Sequence, residues 1–328
     1  MAHVVLHIGT HKTATTTVQD TFAANAKLLE RHGIHYPSIG RSSGHHGLVC
    51  DWSALAPFYR LPEGSRAAFR NLARKYADKE GTLFLSSEEF SRCGEGHVNL
   101  AEIRELLGPF ETIRVVCVLR EQWQFLQSVY LELAKNKTPQ PPPQLVRTAI
   151  RAGTGGGLFI DYNLLLDRLE KVFDPEAIVL VDYLTAREAP GGILGTVLRV
   201  VGSELDAGDL KQVNGGRSNV SPMPLASWTA SILAQPKAAP PWLVNRCADL
   251  LKEMFGDDVT TCIFSRQELT MLRNHFDPLN LRLSERRSEV QPDFGMSATE
   301  PPRGTKFRGA IDAQFWSRIA RSLVKERL

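Results

Sequence analysis

The 328-residue sequence is poor in cysteine, has no long apolar run and carries almost no net charge, and each shortage removes a class of protein. The cysteines, Cys50, Cys93, Cys117, Cys247 and Cys262, are odd in number and form no C-x-x-C pair. Neither a disulfide framework nor a structural zinc site is expected, and the thiols read as reduced and mostly buried. No stretch approaches the ~18–20 apolar residues that a membrane-spanning helix needs. The early apolar run "VVLHI" is too short for a signal peptide, so the expectation is a soluble, cytoplasmic protein. A formal charge of +3 gives no broad basic field, so no nucleic-acid or anionic-membrane partner is expected and any basic site must be local.

What is present is an alternation of strand-like and helix-like segments. "HVVLHI" (3–8), "GTLFLSSEEF" (81–90), "ETIRVVCVLR" (111–120) and "AIVLVDYL" (177–184) are β-branched, apolar runs suited to buried parallel strands. Helical patterns lie between them, at about 16–31 and 64–78, at "LAEIRELLG", at "EQWQFLQSVYLELAKNK" and at "DYNLLLDRLEKVF". "TPQPPPQ" reads as an extended surface break. The order implies an α/β fold, a three-layer sandwich with a central parallel sheet between helices, over residues 1–220. Residues 221–328 lack strong strand signals and read as a mostly helical extension packed on that core.

Chemistry concentrates after the first strand, in "GTHKTATTT" (9–17). A strand–loop–helix turn aims backbone N–H groups and the helix dipole at an anion. The nucleotide-triphosphate form of such a loop is G-x-x-x-x-G-K-[ST]. Counted from Gly9, Ala14 replaces the second glycine and Thr15 replaces the lysine, while Lys12 comes three residues early. Thr13, Thr15, Thr16 and Thr17 add hydroxyl donors. After the third strand come Arg120 and, eight residues on, Ser128, which can hold a second phosphate at the same sheet edge.

Together, Gly-x-x-Lys-Thr-x-Thr-Thr and Arg-x7-Ser resemble the PAPS-dependent sulfotransferases, most closely the bacterial and carbohydrate branches. His11 stands where the cytosolic branch usually has proline, and "DYNLLLDRLEKVFDPEAIVLVDYL" is similar to the helix and strand behind the family's 3′-phosphate site. The resemblance spans about residues 1–220 and implies a P-loop NTPase-like fold. It implies PAPS as sulfuryl donor, PAP as product and no required metal. Gly9, His11, Lys12, Thr13, Ala14, Thr15, Thr16 and Thr17 would then hold the 5′ end, and Arg120 and Ser128 the 3′-phosphate. Arg217, in the Gly-rich loop "NGGRSNVS", would close the 3′ site or lie in a surface turn. The family usually has glycine at the position of Ala14, so a positive φ there would carry a steric cost.

The acceptor is expected to be a small-molecule, glycan or glycolipid hydroxyl, or an amine. Its proton needs a base. The family places a glutamate after the second strand, which falls on Glu88, with Glu89 beside it; both can equally cap the turn that Ser86 or Ser87 begins. His45 and His46, in the loop "SGHHG", are the rival bases, and His46 joins Lys12 and Glu88 as a catalytic candidate. Two other functions fit the same features. One is a P-loop kinase or NTPase with a degenerate loop, Asp182 holding Mg²⁺ at the end of "IVLVD"; the other is a nucleotide-binding relative without turnover.

Overall fold

The computed structural model describes residues 2–155, 157–213 and 221–325. Along the chain run β1 (Ala2–His7), α1 (Thr15–Ala24), α2 (Ala26–Arg31), β2 (Ile34–His35), α3 (Ser65–Tyr76), β3 (Gly81–Ser86), α4 (Leu100–Leu106) and β4 (Thr112–Leu119). Next come α5 (Gln122–Ala134), α6 (Pro142–Ala152), the short strands β5 (Thr154–Gly155) and β6 (Leu158–Phe159), α7 (Tyr162–Glu170), β7 (Ile178–Asp182), α8 (Tyr183–Glu188) and α9 (Gly192–Val200). The chain ends with α10 (Pro224–Ala234), α11 (Pro241–Phe255), β8 (Thr261–Cys262), α12 (Arg266–Arg287), β9 (Lys306–Phe307) and α13 (Ala313–Lys325). These segments form two compact units, residues 1–120, 153–218 and 279–297 in one and 121–152, 219–278 and 298–328 in the other. The units interleave in sequence, whereas composition alone suggested one boundary near residue 220.

The first unit is built on a five-stranded sheet in the order β2-β3-β1-β4-β7, with every pairing parallel. Side chains alternate between its faces, and both are apolar. Val4, Leu6, Leu83, Leu85, Val115 and Cys117 pack against α3, α4 and α7. Val5, Phe84, Val116 and Val118 pack against α1, α2 and α9. Each such side chain contributes roughly 1.5–3 kcal/mol of burial, which is why the strands read as continuous apolar runs. The helix expected over 16–31 is interrupted at Asn25. Its side chain donates to the Thr21 carbonyl at 2.7 Å and the Lys211 carbonyl at 2.9 Å and accepts from Lys211 N at 2.9 Å, so it competes with helical bonding.

β7 is an edge strand, and the end of α12 with its following segment covers it. Arg287, 1% exposed, donates to the Ile178 carbonyl at 2.7 Å. The Gln291 amide accepts from Leu180 N at 3.0 Å and donates to Leu180 O at 2.6 Å, as a neighbouring strand would. Ser297 Oγ donates to Asp182 at 2.6 Å. The Ile178 carbonyl and both backbone groups of Leu180 are therefore satisfied, and the middle of this edge is closed to further pairing.

In the second unit α10, α11 and α13 share a core of Leu225, Ala226, Leu243, Cys247, Leu251, Phe315 and Ile319. Gln127 of α5 accepts from Ile263 N at 3.0 Å, which ties α5 to the C-terminal part of the chain. The proline run ends by opening a helix: Pro142 is the first residue of α6, where its missing N–H costs nothing. Gln291→Leu is expected to lower unfolding free energy by about 2 kcal/mol, because two backbone groups of β7 lose their partner. Urea denaturation measures this, and a change within about 0.5 kcal/mol, the range of an ordinary surface substitution, would contradict the edge-closing role.

Candidate functional site

Residues 8–14 join β1 to α1. The ladder continues beyond the strand, because Ile8 N donates to Val116 O and Thr10 N to Val118 O, both at 2.9 Å. Thr10 Oγ1 also donates to Val118 O at 2.9 Å, and Thr13 Oγ1 to Thr10 O at 2.5 Å. Lys12 and Ala14 have φ of 66° and 61°, and Thr13 between them does not share that sign. Alternating φ of this kind turns successive N–H groups into one concavity that suits an anion. Ala14 precedes α1, which has no side-chain cap and no acidic residue in its first turn. The helix's leading N–H groups are thus left for an anion. At Gly9 an added Cβ would lie 2.7 Å from Thr15 Cγ2, so close approach requires glycine.

The steric cost anticipated at Ala14 is therefore present. An L-residue in this region carries about 1–2 kcal/mol. Such strain persists where the surroundings over-determine it.

Arg120 follows β4 directly. Its Nη1 donates to the Lys12 carbonyl at 3.0 Å, and its guanidinium lies 5.1 Å from the Tyr183 ring centroid. Tyr162 fixes its backbone, with Oη donating to Arg120 O at 2.5 Å. Ser128 is buried on α5, in the second unit. Arg217 lies outside the described residues.

β3 ends at Ser86, and Glu88–Ser91 form a 3₁₀ turn capped by Ser87, whose Oγ accepts from Glu89 N at 3.3 Å. His46 Nδ1 lies 2.9 Å from Ser87 Oγ and 4.0 Å from Glu88 Oε2. Gln19 of α1 donates to Glu88 Oε2 at 3.1 Å and to Ser86 Oγ at 3.2 Å. Glu89 differs: His11 Nε2 meets it at 3.1 Å and Arg92 Nε at 2.8 Å. Burial alone would raise the Glu89 pKa, but the His11 hydrogen bond and the charges of His11, Arg92 and His46 outweigh it and hold the carboxyl below its ordinary range. The His11–Glu89 pair ties the loop to the turn that carries Glu88.

The adjacent histidines have different surroundings. His45 is wholly buried; its Nδ1 accepts from Ser86 N at 2.9 Å and its Nε2 donates to Pro37 O at 2.8 Å, so it is neutral and structural. His46 is only partly buried and packs edge-on against Tyr59, 5.0 Å between centroids. His7, Gln19, Arg92 and Tyr162 were not singled out from sequence, and Ser86 was named only as a residue that begins the turn. The available sign was His7 itself, a polar residue closing an apolar buried run.

Asp182, the residue a kinase would offer to Mg²⁺, has both oxygens engaged: Ser297 N reaches Oδ1 at 3.3 Å, and Thr185 N and Oγ1 reach Oδ2 at 2.9 Å. Among the described residues no cluster of three or more His, Cys, Asp or Glu is placed to hold a metal ion. A groove of about 830 Å³ lined by Arg104, Arg114 and Lys171 opens at the start of β4, the opposite end of the sheet from the loop. No described helix is long and apolar enough to cross a membrane.

Two outcomes follow. Ala14→Gly relieves the strain, offset by the extra freedom of unfolded glycine, so a net gain of about 0.5 kcal/mol is expected in urea denaturation. A loss of 1 kcal/mol or more would mean that Ala14 is not strained. Burial lowers the pKa of His7 to about 4, opposed by Glu88; burial likewise lowers that of His45 to about 4, opposed by the Pro37 hydrogen bond. Both folded values lie below the ordinary 6.5, so the unfolded chain binds protons that the folded chain refuses. Their stabilisation is complete above about pH 6.5 and is lost as pH falls toward 4. About 3–4 kcal/mol should disappear between pH 7 and pH 5. Equal unfolding free energies at the two pH values would contradict neutral, buried rings.

No protein-family model matches the chain, and no curated protein matches it. Among solved structures it is similar to the crystal structure of a sulfotransferase from Alicyclobacillus acidocaldarius, with a TM-score of 0.42 and 13% identity, over 74% of this chain and 95% of that one. At this degree of likeness no residue-to-residue correspondence follows.

Proposed function

We propose that this chain is a PAPS-dependent sulfotransferase that acts on a hydroxyl, or an amine, of a small-molecule, glycan or glycolipid acceptor. The observation that carries the reading is the Lys12 turn: a lysine at positive φ, its carbonyl held by Arg120 at 3.0 Å, ahead of a helix with no side-chain cap. PAPS, when bound, would supply a sulfuryl group attached to a phosphate that leaves with PAP. The loop has local features that fit such an anion: N–H groups turned to one side, the hydroxyls of Thr15, Thr16 and Thr17, and one lysine.

Residues 9–17 would hold the 5′ end, and Arg120, Ser128 and Arg217 the 3′-phosphate. The Lys12 ammonium would neutralise charge on the departing phosphate oxygen, an electrostatic role. Glu88 would take the acceptor's proton. It suits that role better than Glu89, whose carboxylate is occupied by His11 and Arg92. Gln19 aims the Glu88 carboxylate through Oε2, and His46, 4.0 Å away, would take the proton onward only through one bridging water. The partly exposed Tyr59 beside His46 and the exposed Phe58 next to it offer apolar faces to an acceptor.

The deciding measurement is a thermal shift with PAP in the absence of metal, and separately with ATP and Mg²⁺. A PAP shift without metal is expected, equivalent to about 2.7 kcal/mol at a hundredfold excess over Kd. A shift with ATP and Mg²⁺ alone would replace the reading with a kinase, and no shift with either would remove the donor site. Lys12→Ala should cut turnover of labelled PAPS by roughly 10²–10³-fold while keeping part of the PAP shift. Retained turnover would remove Lys12 from catalysis, and PAP binding without turnover in the native chain against every acceptor class named would favour a non-catalytic relative.

A further inference from the structure

We propose that His7 Nε2 is a ligand-facing hydrogen-bond donor at the floor of the 9–17 loop, held for an oxygen of the anion that the loop takes up; the proposal rests on reading that loop as an anion cradle. His7 is the last residue of β1 and is 1% exposed. Its Nδ1 lies 2.8 Å from Ser86 Oγ. That hydroxyl already accepts from Gln19 Nε2 at 3.2 Å, and Gln19 is oriented by the Glu88 carboxylate at 3.1 Å. The Ser86 proton is therefore directed to His7 Nδ1, which leaves the imidazole proton on Nε2. The opposite tautomer would leave both the Ser86 hydroxyl proton and Nε2 unmatched.

Nε2 is buried and, among the described residues, has no hydrogen-bond partner. Buried donors are rarely left this way, and one that is unmatched asks for an explanation. Its surroundings supply one. A Cβ built on Gly9 would come 3.5 Å from His7 Nε2, 3.4 Å from Thr13 Oγ1 and 2.7 Å from Thr15 Cγ2, so the nitrogen lies against the first residue of the loop, with the Thr13 and Thr15 side chains closing over it. An anion oxygen admitted by a rotation of the Thr15 side chain would accept from Nε2–H, and the chain Nε2–Nδ1–Ser86–Gln19–Glu88 would connect the anion to the carboxylate proposed as base. His7 is thus a binding residue through Nε2 and a positioning residue through Nδ1.

Two substitutions separate these roles. The amide of Gln can reach the place of Nε2, and that of Asn the place of Nδ1. Affinity for PAP, and for inorganic pyrophosphate as a minimal anion, would be measured calorimetrically on the full chain and on His7→Gln and His7→Asn, with melting curves to establish folding. His7→Gln should bind PAP within a few fold of the native chain, and His7→Asn should bind roughly tenfold or more weakly, the loss of a hydrogen bond to a charged group. The reverse order, or native affinity in both, would overturn the proposal while leaving the cradle intact. A native chain that binds neither ligand would remove the cradle and the proposal together. ¹⁵N-histidine spectra of the native chain provide a test that no folding defect can obscure. They should show His7 protonated at Nε2, with that proton moving downfield on adding PAP; an Nδ1-protonated ring or an unmoved signal would overturn it.

Discussion

The parallel ladder between β1 and β4 governs the rest of the site, because it continues past the last residue of the strand. The bonds from Ile8 and Thr10 to the carbonyls of Val116 and Val118 set the point at which the chain leaves the sheet. Each is worth only about 1 kcal/mol net, but leaving such a group unmatched in the interior costs more. The loop is thereby pinned at its entry by the sheet and at its exit by α1, with four residues between Thr10 and Thr15 to make the turn. Positive φ at Lys12 and Ala14 follows from that short span. Arg120 adds a third anchor from the end of β4, so one strand holds both the entry of the loop and the carbonyl of its lysine.

Much of the α/β unit was legible in the sequence, for a simple physical reason. Strands buried on both faces must be apolar throughout, so β1, β3, β4 and β7 appear as uninterrupted runs, and the amphipathic helices between them appear by period. Features that depend on a partner far along the chain were not legible. Asn25 interrupts a helix because Lys211 lies beside it, and Gln291 closes an edge strand that no local pattern identifies. The grouping of α5 and α6 with the C-terminal helices is of the same kind, since it depends on contacts such as Gln127 with the backbone of Ile263.

Within the site, the sequence named residue pairs and the fold separated their members. Glu88 and Glu89 are neighbours just past the strand end, yet one faces Gln19 and His46 while the other is consumed by His11 and Arg92. His45 and His46 diverge likewise. Backbone groups of Ser86 and Pro37 saturate the first, whereas the second keeps a ring edge near Ser87 and Glu88. Adjacent residues on a turn point in different directions, and no composition or spacing rule records which one turns inward. The Ala14 position shows the converse. Its departure from glycine is visible in the sequence, and only the backbone shows that the departure stores strain.

The charge distribution around the loop follows from the same geometry. Positive charge comes from Lys12, Arg120 and the leading N–H groups of α1, and these sit where the chain emerges from the sheet. The residues beneath are buried, and burial there drives His7 to its neutral form. A protonated imidazole in that place would have to be desolvated, which costs more than its attraction to Glu88 returns, as the direction of its pKa shows. Neutrality also suits the chain of contacts through Ser86 and Gln19, because a neutral ring keeps one nitrogen as acceptor for the Ser86 hydroxyl. A charged ring would donate from both nitrogens and leave the Ser86 hydroxyl proton without its acceptor. The apolar face that buries β1 therefore also fixes the protonation state of the residue at its end, from which contacts run through Ser86 and Gln19 to the Glu88 carboxylate in the turn after β3.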